Sequence, residues 1–168
     1  YPNAHAGYYP GAKPIAMKIL FSKADGRLLG AQALGEAGVD KRISTLAGMI
    51  QMGATVYDLE ESELCYAPAF GSAKEPVNFA GIVAVDVIRG DMPISHWPDL
   101  HGAALLDVRE PFELAVDRVD DAIHIPLGQL RGRLGELPRD KKIHVVCRSG
   151  QRAYYATRLL IQAGFDAY

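Results

Sequence analysis

A short apolar run, Ile143-His144-Val145-Val146, leads directly into Cys147-Arg148-Ser149-Gly150-Gln151-Arg152. Apolar residues at helical spacing follow, Ala153, Ala156, Leu160 and Ala163, with Gly164 where a helix C-cap would fall. The pattern predicts a cysteine at the point where a strand ends and a helix begins. Unpaired N–H groups in a helix first turn, together with the positive end of its dipole, favour an anion there. Arg148 and Arg152 add formal positive charge to the same few residues. The arrangement suits a thiolate nucleophile cradled by backbone amides. A buried strand-end cysteine followed by solvated arginines is the plainer alternative, and two arginines, a serine and a glycine in one tight loop weigh against it.

Alternation of strand and helix extends through the second half. Ala104 to Val108 reads as a strand, Pro111 to Ala115 as a helix, Ala122 to Ile125 as a strand closed by Pro126, and Leu130 to Leu137 as a helix. Ile143 to Cys147 and Arg152 to Ala163 complete the series. Such alternation implies a parallel sheet covered by helices, with ligands bound outside the carboxyl ends of the strands, where Cys147 falls.

The first half differs. Ile15 to Phe21 and Leu28 to Leu34 flank Asp25-Gly26, a hairpin signal. A helix with apolar positions Val39, Ile43, Leu46, Ala47 and Ile50 ends near Gly53. After Pro68, Gly71 and Pro76 comes another, with Val77, Ala80, Val83, Ala84 and Val87 on its face. Strands followed by segregated helices indicate an α+β unit, and no Gly-x-Gly-x-x-Gly follows a strand to mark a dinucleotide site. Arg89-Gly90-Asp91-Met92-Pro93 interrupts both periodicities, placing the expected domain boundary between residues 92 and 93.

Composition bounds the rest. At 168 residues and 49% hydrophobic, the chain is long enough for two small cores. A net charge of -2 argues against binding nucleic acid or an anionic membrane. Two cysteines make no disulfide framework, which leads us to expect a reducing, cytoplasmic setting. The start, Tyr1-Pro2-Asn3, lacks Met and the marks of a signal peptide, as expected for a piece of a longer protein. No metal site is expected, because His5, His96, His101 and His124 share no ligand spacing with either cysteine. Cys65 lacks a charged or helix-start setting and is expected to be buried and inert.

Three motifs in order, Leu106-Asp107-Val108-Arg109-Glu110-Pro111 with Glu113, Ala122-Ile123-His124-Ile125-Pro126-Leu127, and Val145 to Ala153 around Cys147, resemble a single-domain rhodanese over residues 94 to 168. Where that family often has Gly-His-Ile, this chain has Asp117-Arg118-Val119. The resemblance implies a sulfurtransferase that carries sulfane sulfur as a Cys147 persulfide. Arg148 and Arg152 would bind an anionic donor, and the N–H groups of Ser149, Gly150, Gln151 and Arg152 would stabilise the sulfur anion. His144 precedes Cys147 by three strand residues, about 10 Å and on the opposite face, which argues against a Cys-His pair. Asp107 and Arg109 read as structural, with Arg109 able to pair with Glu113 across one turn. Some rhodanese-like domains are phosphatases, whose loop is one residue longer; the four residues between Cys147 and Arg152 favour sulfur.

His5 to Ala12, Gly35 to Arg42, and Tyr66 to Asn78 resemble the C-terminal dimerisation domain of flavin-dependent pyridine nucleotide-disulfide reductases. Within that group the resemblance is to the coenzyme A-disulfide reductase, NADH oxidase and persulfide reductase branch, some members of which carry a fused rhodanese. It implies an α+β reductase dimerisation domain at 1–92 followed by an α/β rhodanese-like domain with a mainly parallel sheet at 93–168, truncated at its C-terminus. It also implies a homodimer formed through residues 1–92, with FAD, NAD(P)H and coenzyme A serving the parent enzyme and none assigned to this chain alone. Thiosulfate, polysulfide and coenzyme A persulfide are the implied donors. Tyr8 and Tyr66 match the branch's two tyrosines near the coenzyme A thiol, where a phenol could hydrogen-bond a developing thiolate. Tyr9 adjoins Tyr8 and competes for that assignment, and packing is the plainer role for all three. A phosphatase and a noncatalytic dimerisation or docking module are the alternatives.

Overall fold

The computed structural model describes the backbone of residues 1–168 and all side chains except those of Trp97 and Asp99. It divides into two compact units, Tyr1–Arg89 and Gly90–Tyr168.

In the first unit, β1 (Ile15–Phe21) and β2 (Leu28–Gly35) form an antiparallel ribbon in which Ile15 faces Gly35 and the register slips between Leu20 and Phe21. Gly26 closes the turn at a φ of 74°, a left-handed conformation that glycine adopts without steric cost, and its N–H donates to Ser22 O at 2.8 Å. Helix α1 (Val39–Gln51) follows Gly38. A second helix, α2 (Val56–Glu61), lies in a stretch for which the sequence reading names no element. At six residues it is too short for its apolar spacing to be distinctive, and a capping box between Thr55 and Asp58 starts it. Helix α3 (Pro76–Arg89) crosses α2 closely at Gly81, where an added Cβ would fall 2.8 Å from Leu59 Cβ. The core is drawn from both layers. Leu28, Leu46, Leu59 and Val77 form one buried cluster, and Val56, Ala84 and Val85 another. Each large aliphatic side chain there contributes roughly 1.5–3 kcal/mol by leaving water.

The second unit is the expected parallel sheet, with strand order β4-β3-β5. Leu106 of β3 (Ala104–Asp107) pairs with Ile123 of β4 (Ile123–His124) on one side and Val145 of β5 (Ile143–Val146) on the other. Helix α4 (Pro111–Leu114) follows β3, and α6 (Gln151–Gln162) follows β5. The helix expected over Leu130 to Leu137 is replaced by α5 (Leu127–Leu130) and a separate 3-10 turn at Leu134–Glu136. Gly132 and Gly135 explain the break, since each costs about 1 kcal/mol in a helix interior relative to alanine. Residues 166–168 run parallel along β5: Asp166 O accepts from Ile143 N, and Tyr168 N donates to Ile143 O, both at 2.9 Å. Leu106, Val108, Ile125, Leu130, Ile143, Ala156 and Leu160 are fully buried beneath this sheet edge and α6.

Candidate active site

Cys147 sits in the loop between β5 and α6, at the carboxyl end of the sheet. Its side chain is half-buried. Gly150, the residue that caps α6, has φ 92° and ψ −29°. That left-handed turn doubles the chain back so that Gly150 N–H donates to Cys147 Sγ at 3.1 Å. Ala153 N–H donates to the same sulfur at 3.3 Å. It belongs to the first turn of α6, where backbone donors have no intrahelical acceptor. The sequence placed the cradle at Ser149 to Arg152; the structure puts one donor inside that span and the other just beyond it. Ser149 and Arg148 lie exposed on the rim, as does Gln151, whose Nε2 donates to Tyr155 OH at 3.2 Å.

Arg152, expected to meet an anionic donor, is paired with a carboxylate of the chain. Its Nη1 and Nη2 donate to Glu113 Oε2 and Oε1 at 2.5 and 2.8 Å. Glu113 is fixed in turn, because Glu110 N–H donates to Glu113 Oε2 at 2.9 Å in a capping box that starts α4. The Arg152 hydrogen bonds, reinforced by that N–H, hold the Glu113 carboxyl down at about 2. The Glu110-x-x-Glu113 spacing at the start of α4 is the sequence signal for this carboxylate, but only the fold brings that helix to the cysteine loop.

The expected pairing of Arg109 with Glu113 does not form. Arg109 instead folds back on Asp107, with Nε 3.0 Å from both carboxylate oxygens and Nη2 2.7 Å from Oδ2. Asp107 also accepts from Arg109 N–H at 3.0 Å. Burial pushes the Asp107 carboxyl up, but the Arg109 hydrogen bonds and charge outweigh it, and the net shift is downward. His124 Nε2–H donates to Arg109 O at 2.8 Å, tying β4 to the same corner. His144 is engaged away from the cysteine, with Nδ1 hydrogen-bonded to Ser95 Oγ and its ring stacked on Tyr168 at 5.3 Å. Among the described residues no group of His, Cys, Asp and Glu has the arrangement of a metal site.

In the first unit, Tyr8 and Tyr66 come together across 58 residues, their hydroxyls 2.6 Å apart. Both rings are exposed, at 77% and 49%. The Tyr8 hydrogen bond, joined by partial burial, raises the Tyr66 phenol above its ordinary value of 10.0. Tyr9 is turned elsewhere and packs edge-on against His5 at 5.7 Å. Cys65, expected to be buried, is exposed: it lies in the irregular segment after α2, outside both clusters of the core.

Residues 1–76 match the family described as pyridine nucleotide-disulphide oxidoreductase, dimerisation domain, and residues 95–168 match the rhodanese-like domain. Over 82 residues the chain is 43% identical to a coenzyme A disulfide reductase of Staphylococcus epidermidis, a span of 49% of this chain and 19% of that protein. The reduced Bacillus anthracis CoADR-RHD crystal structure superposes on 99% of the chain with a TM-score of 0.94 and 43% identity, the match covering 31% of that chain. An NAD-dependent persulfide reductase from A. fulgidus gives a TM-score of 0.86 and 38% identity over 99% of this chain and 30% of its own. The chain thus spans about a fifth of the curated relative and under a third of each solved one. It joins a pyridine nucleotide-disulphide oxidoreductase dimerisation domain to a rhodanese-like domain, and over 99% of its length it is similar to the two solved structures.

Proposed function

We propose that this chain is the C-terminal part of a flavin-dependent coenzyme A-disulfide or persulfide reductase, and that its rhodanese domain transfers sulfane sulfur through Cys147. The observation that carries the reading is the pair of amides, Gly150 N–H and Ala153 N–H, aimed at one sulfur atom at the start of α6. Donors arranged this way stabilise negative charge on Cys147 in the thiolate and on the sulfur bound to it. In the transfer step the Cys147 thiolate attacks the sulfane sulfur of thiosulfate. A new S–S bond forms, the S–S bond of thiosulfate breaks, and sulfite leaves with the electron pair. A thiolate or cyanide acceptor then attacks the outer sulfur and returns Cys147 as thiolate. Polysulfide or coenzyme A persulfide would donate by the same exchange. Arg148, exposed on the rim, is the guanidinium placed to meet an anionic donor, while Arg152 braces the loop through Glu113. Ser149 and Gln151 complete the loop surface.

Tyr8 and Tyr66 are assigned to the coenzyme A thiol of a partner subunit in a homodimer built through the first unit, with the shared hydroxyl contact supplying a proton donor to a departing thiolate. FAD and NAD(P)H are assigned to the parent enzyme and not to this chain, in which no Gly-x-Gly-x-x-Gly follows a strand. Loop length favours sulfur transfer over phosphatase chemistry, because four residues between Cys147 and Arg152 enclose less space than the phosphatase loop.

Mass spectrometry after thiosulfate or polysulfide treatment should find one added sulfur on Cys147, lost in Cys147→Ala. Unchanged mass with every donor, or phosphatase activity without thiosulfate:cyanide activity, would overturn the assignment. For the tyrosines, Tyr8→Phe or Tyr66→Phe in the full-length protein should slow turnover of coenzyme A disulfide or persulfide, and unaltered kinetics would remove them from the site.

A further inference from the structure

The first unit contains a charged pair in an unexpected place. Arg42, on α1, is 1% exposed, and Glu75, just ahead of α3, is 5% exposed. The two form an ion pair. Burying such a pair carries a desolvation cost that well-packed aliphatic residues of similar volume avoid, so stability alone is a weak reason for it. Its remaining hydrogen bonds indicate what it organises. Arg42 Nη2 donates to Ala4 O, and Nη1 donates to Gly38 O at 2.9 Å. Glu75 accepts from Val77 N–H at 3.1 Å. On the adjoining residue of α1, Lys41 Nζ donates to Phe70 O at 2.5 Å and lies 3.9 Å from Glu75.

Ala4 and Phe70 belong to the two irregular segments that carry Tyr8 and Tyr66. Those segments are laced to each other as well, since Ala6 N–H donates to Gly71 O at 2.9 Å and reaches Pro68 O at 3.2 Å. Tyr9 N–H donates to Ala6 O at 2.9 Å, closing the turn that carries Tyr8. Neither tyrosine ring is held by burial, so a hydroxyl separation of 2.6 Å depends on where the two backbones are fixed.

We infer that Lys41, Arg42 and Glu75 form a clamp whose task is to hold the Tyr8 and Tyr66 segments at hydrogen-bonding distance, and that they are positioning residues for the thiol site. Their catalytic consequence rests on the assignment of Tyr8 and Tyr66 made above; the clamp itself rests on the contacts alone. Groups held this way lose little freedom on reaching the reactive geometry, and small displacements of the frame are costly to rate.

The test uses full-length protein labelled with 3-fluorotyrosine, with the Tyr66 resonance assigned by its loss in Tyr66→Phe. Glu75→Gln keeps an acceptor for Val77 N–H but removes the charge, and the half-exposed Lys41→Met spares the buried pair should Glu75→Gln fail to fold. In both, the Tyr66 titration should fall towards that of an ordinary phenol, and kcat for coenzyme A disulfide or persulfide should drop roughly tenfold. In a Tyr66→Phe background the same substitutions should have little further effect on kcat. A folded Lys41→Met or Glu75→Gln protein with unchanged Tyr66 titration would overturn the clamp, as would kcat losses that add in full to that of Tyr66→Phe. If Tyr66 titration moves while Tyr66→Phe leaves kcat intact, the clamp stands and the catalytic assignment of Tyr66 falls.

Discussion

Glu113 and Arg152, 39 residues apart, meet through paired hydrogen bonds of 2.5 and 2.8 Å, joining the helix after β3 to the first turn of the helix after β5. That first turn also supplies the Ala153 amide to Cys147. The carboxylate is thus tied to the same helix turn that supplies one of the two donors to Cys147. Glu113→Gln should lower kcat/KM for thiosulfate:cyanide transfer by about 10-fold or more through displaced loop donors. Persulfide loading at an undiminished rate would place Glu113 outside the mechanism.

The same pair sets an acid limit. With the Glu113 carboxyl at about 2 against an ordinary 4.5, its contribution to stability is complete above 4.5 and is lost as pH falls towards 2. Thermal melts of wild type and Glu113→Gln should therefore converge across that window. A gap that stays constant down to about pH 2 would assign it to something other than this ionisation.

Gly150→Ala places an L side chain at φ 92°. Nothing lies within 4 Å of the new Cβ, so the penalty is one of backbone conformation, on the order of 1–2 kcal/mol. Relief of that strain would turn the Gly150 N–H away from Cys147 Sγ, and both melting temperature and sulfur loading should fall. Gly128→Ala, in equally open space with no left-handed φ, is the control and should alter neither.

Asp107→Asn removes the charge facing Arg109, and both residues are at least nine-tenths buried. Breaking such a pair leaves an uncompensated guanidinium and should cost about 3–5 kcal/mol in chemical denaturation. Because the Asp107 carboxyl is held below its ordinary range, the wild-type advantage should fade as pH drops through and below that range. A loss under about 1 kcal/mol would show that the site relaxes around the change.

Leu160→Ala should destabilise the second unit by about 2–5 kcal/mol, since Leu160 is fully buried on α6 against the sheet. Its neighbour Ile161 is 38% exposed, and Ile161→Ala should be much milder. Equal losses would mean that α6 presents a different face to the core.

The cysteine loop and both layer architectures were legible because their signals are local. Strand-to-helix spacing places Cys147 at a helix start however the rest of the chain folds, and the alternation of apolar runs from Ala104 onward specifies a parallel sheet. Helix α2 and the break at Gly132 were not legible, because at a length of one or two turns a capping box or a single glycine outweighs periodicity. Arg109 and Arg152 show the limit most clearly. From sequence, Glu113 lay one turn from Arg109 and far from Arg152, and proximity along the chain suggested the wrong pair.

Sequence alone determined which chemical groups are available: one thiol at a helix start, a loop of four residues between Cys147 and Arg152, and two tyrosines with hydroxyls to offer. Tertiary structure decided how those groups are held. It gave Arg152 to Glu113, Asp107 to Arg109, and Tyr8 to Tyr66, and it buried Arg42 against Glu75. Helix and strand periods are set by backbone geometry within a few residues, whereas the choice of partner for a charged or phenolic side chain depends on which segments packing brings within about 3 Å of each other.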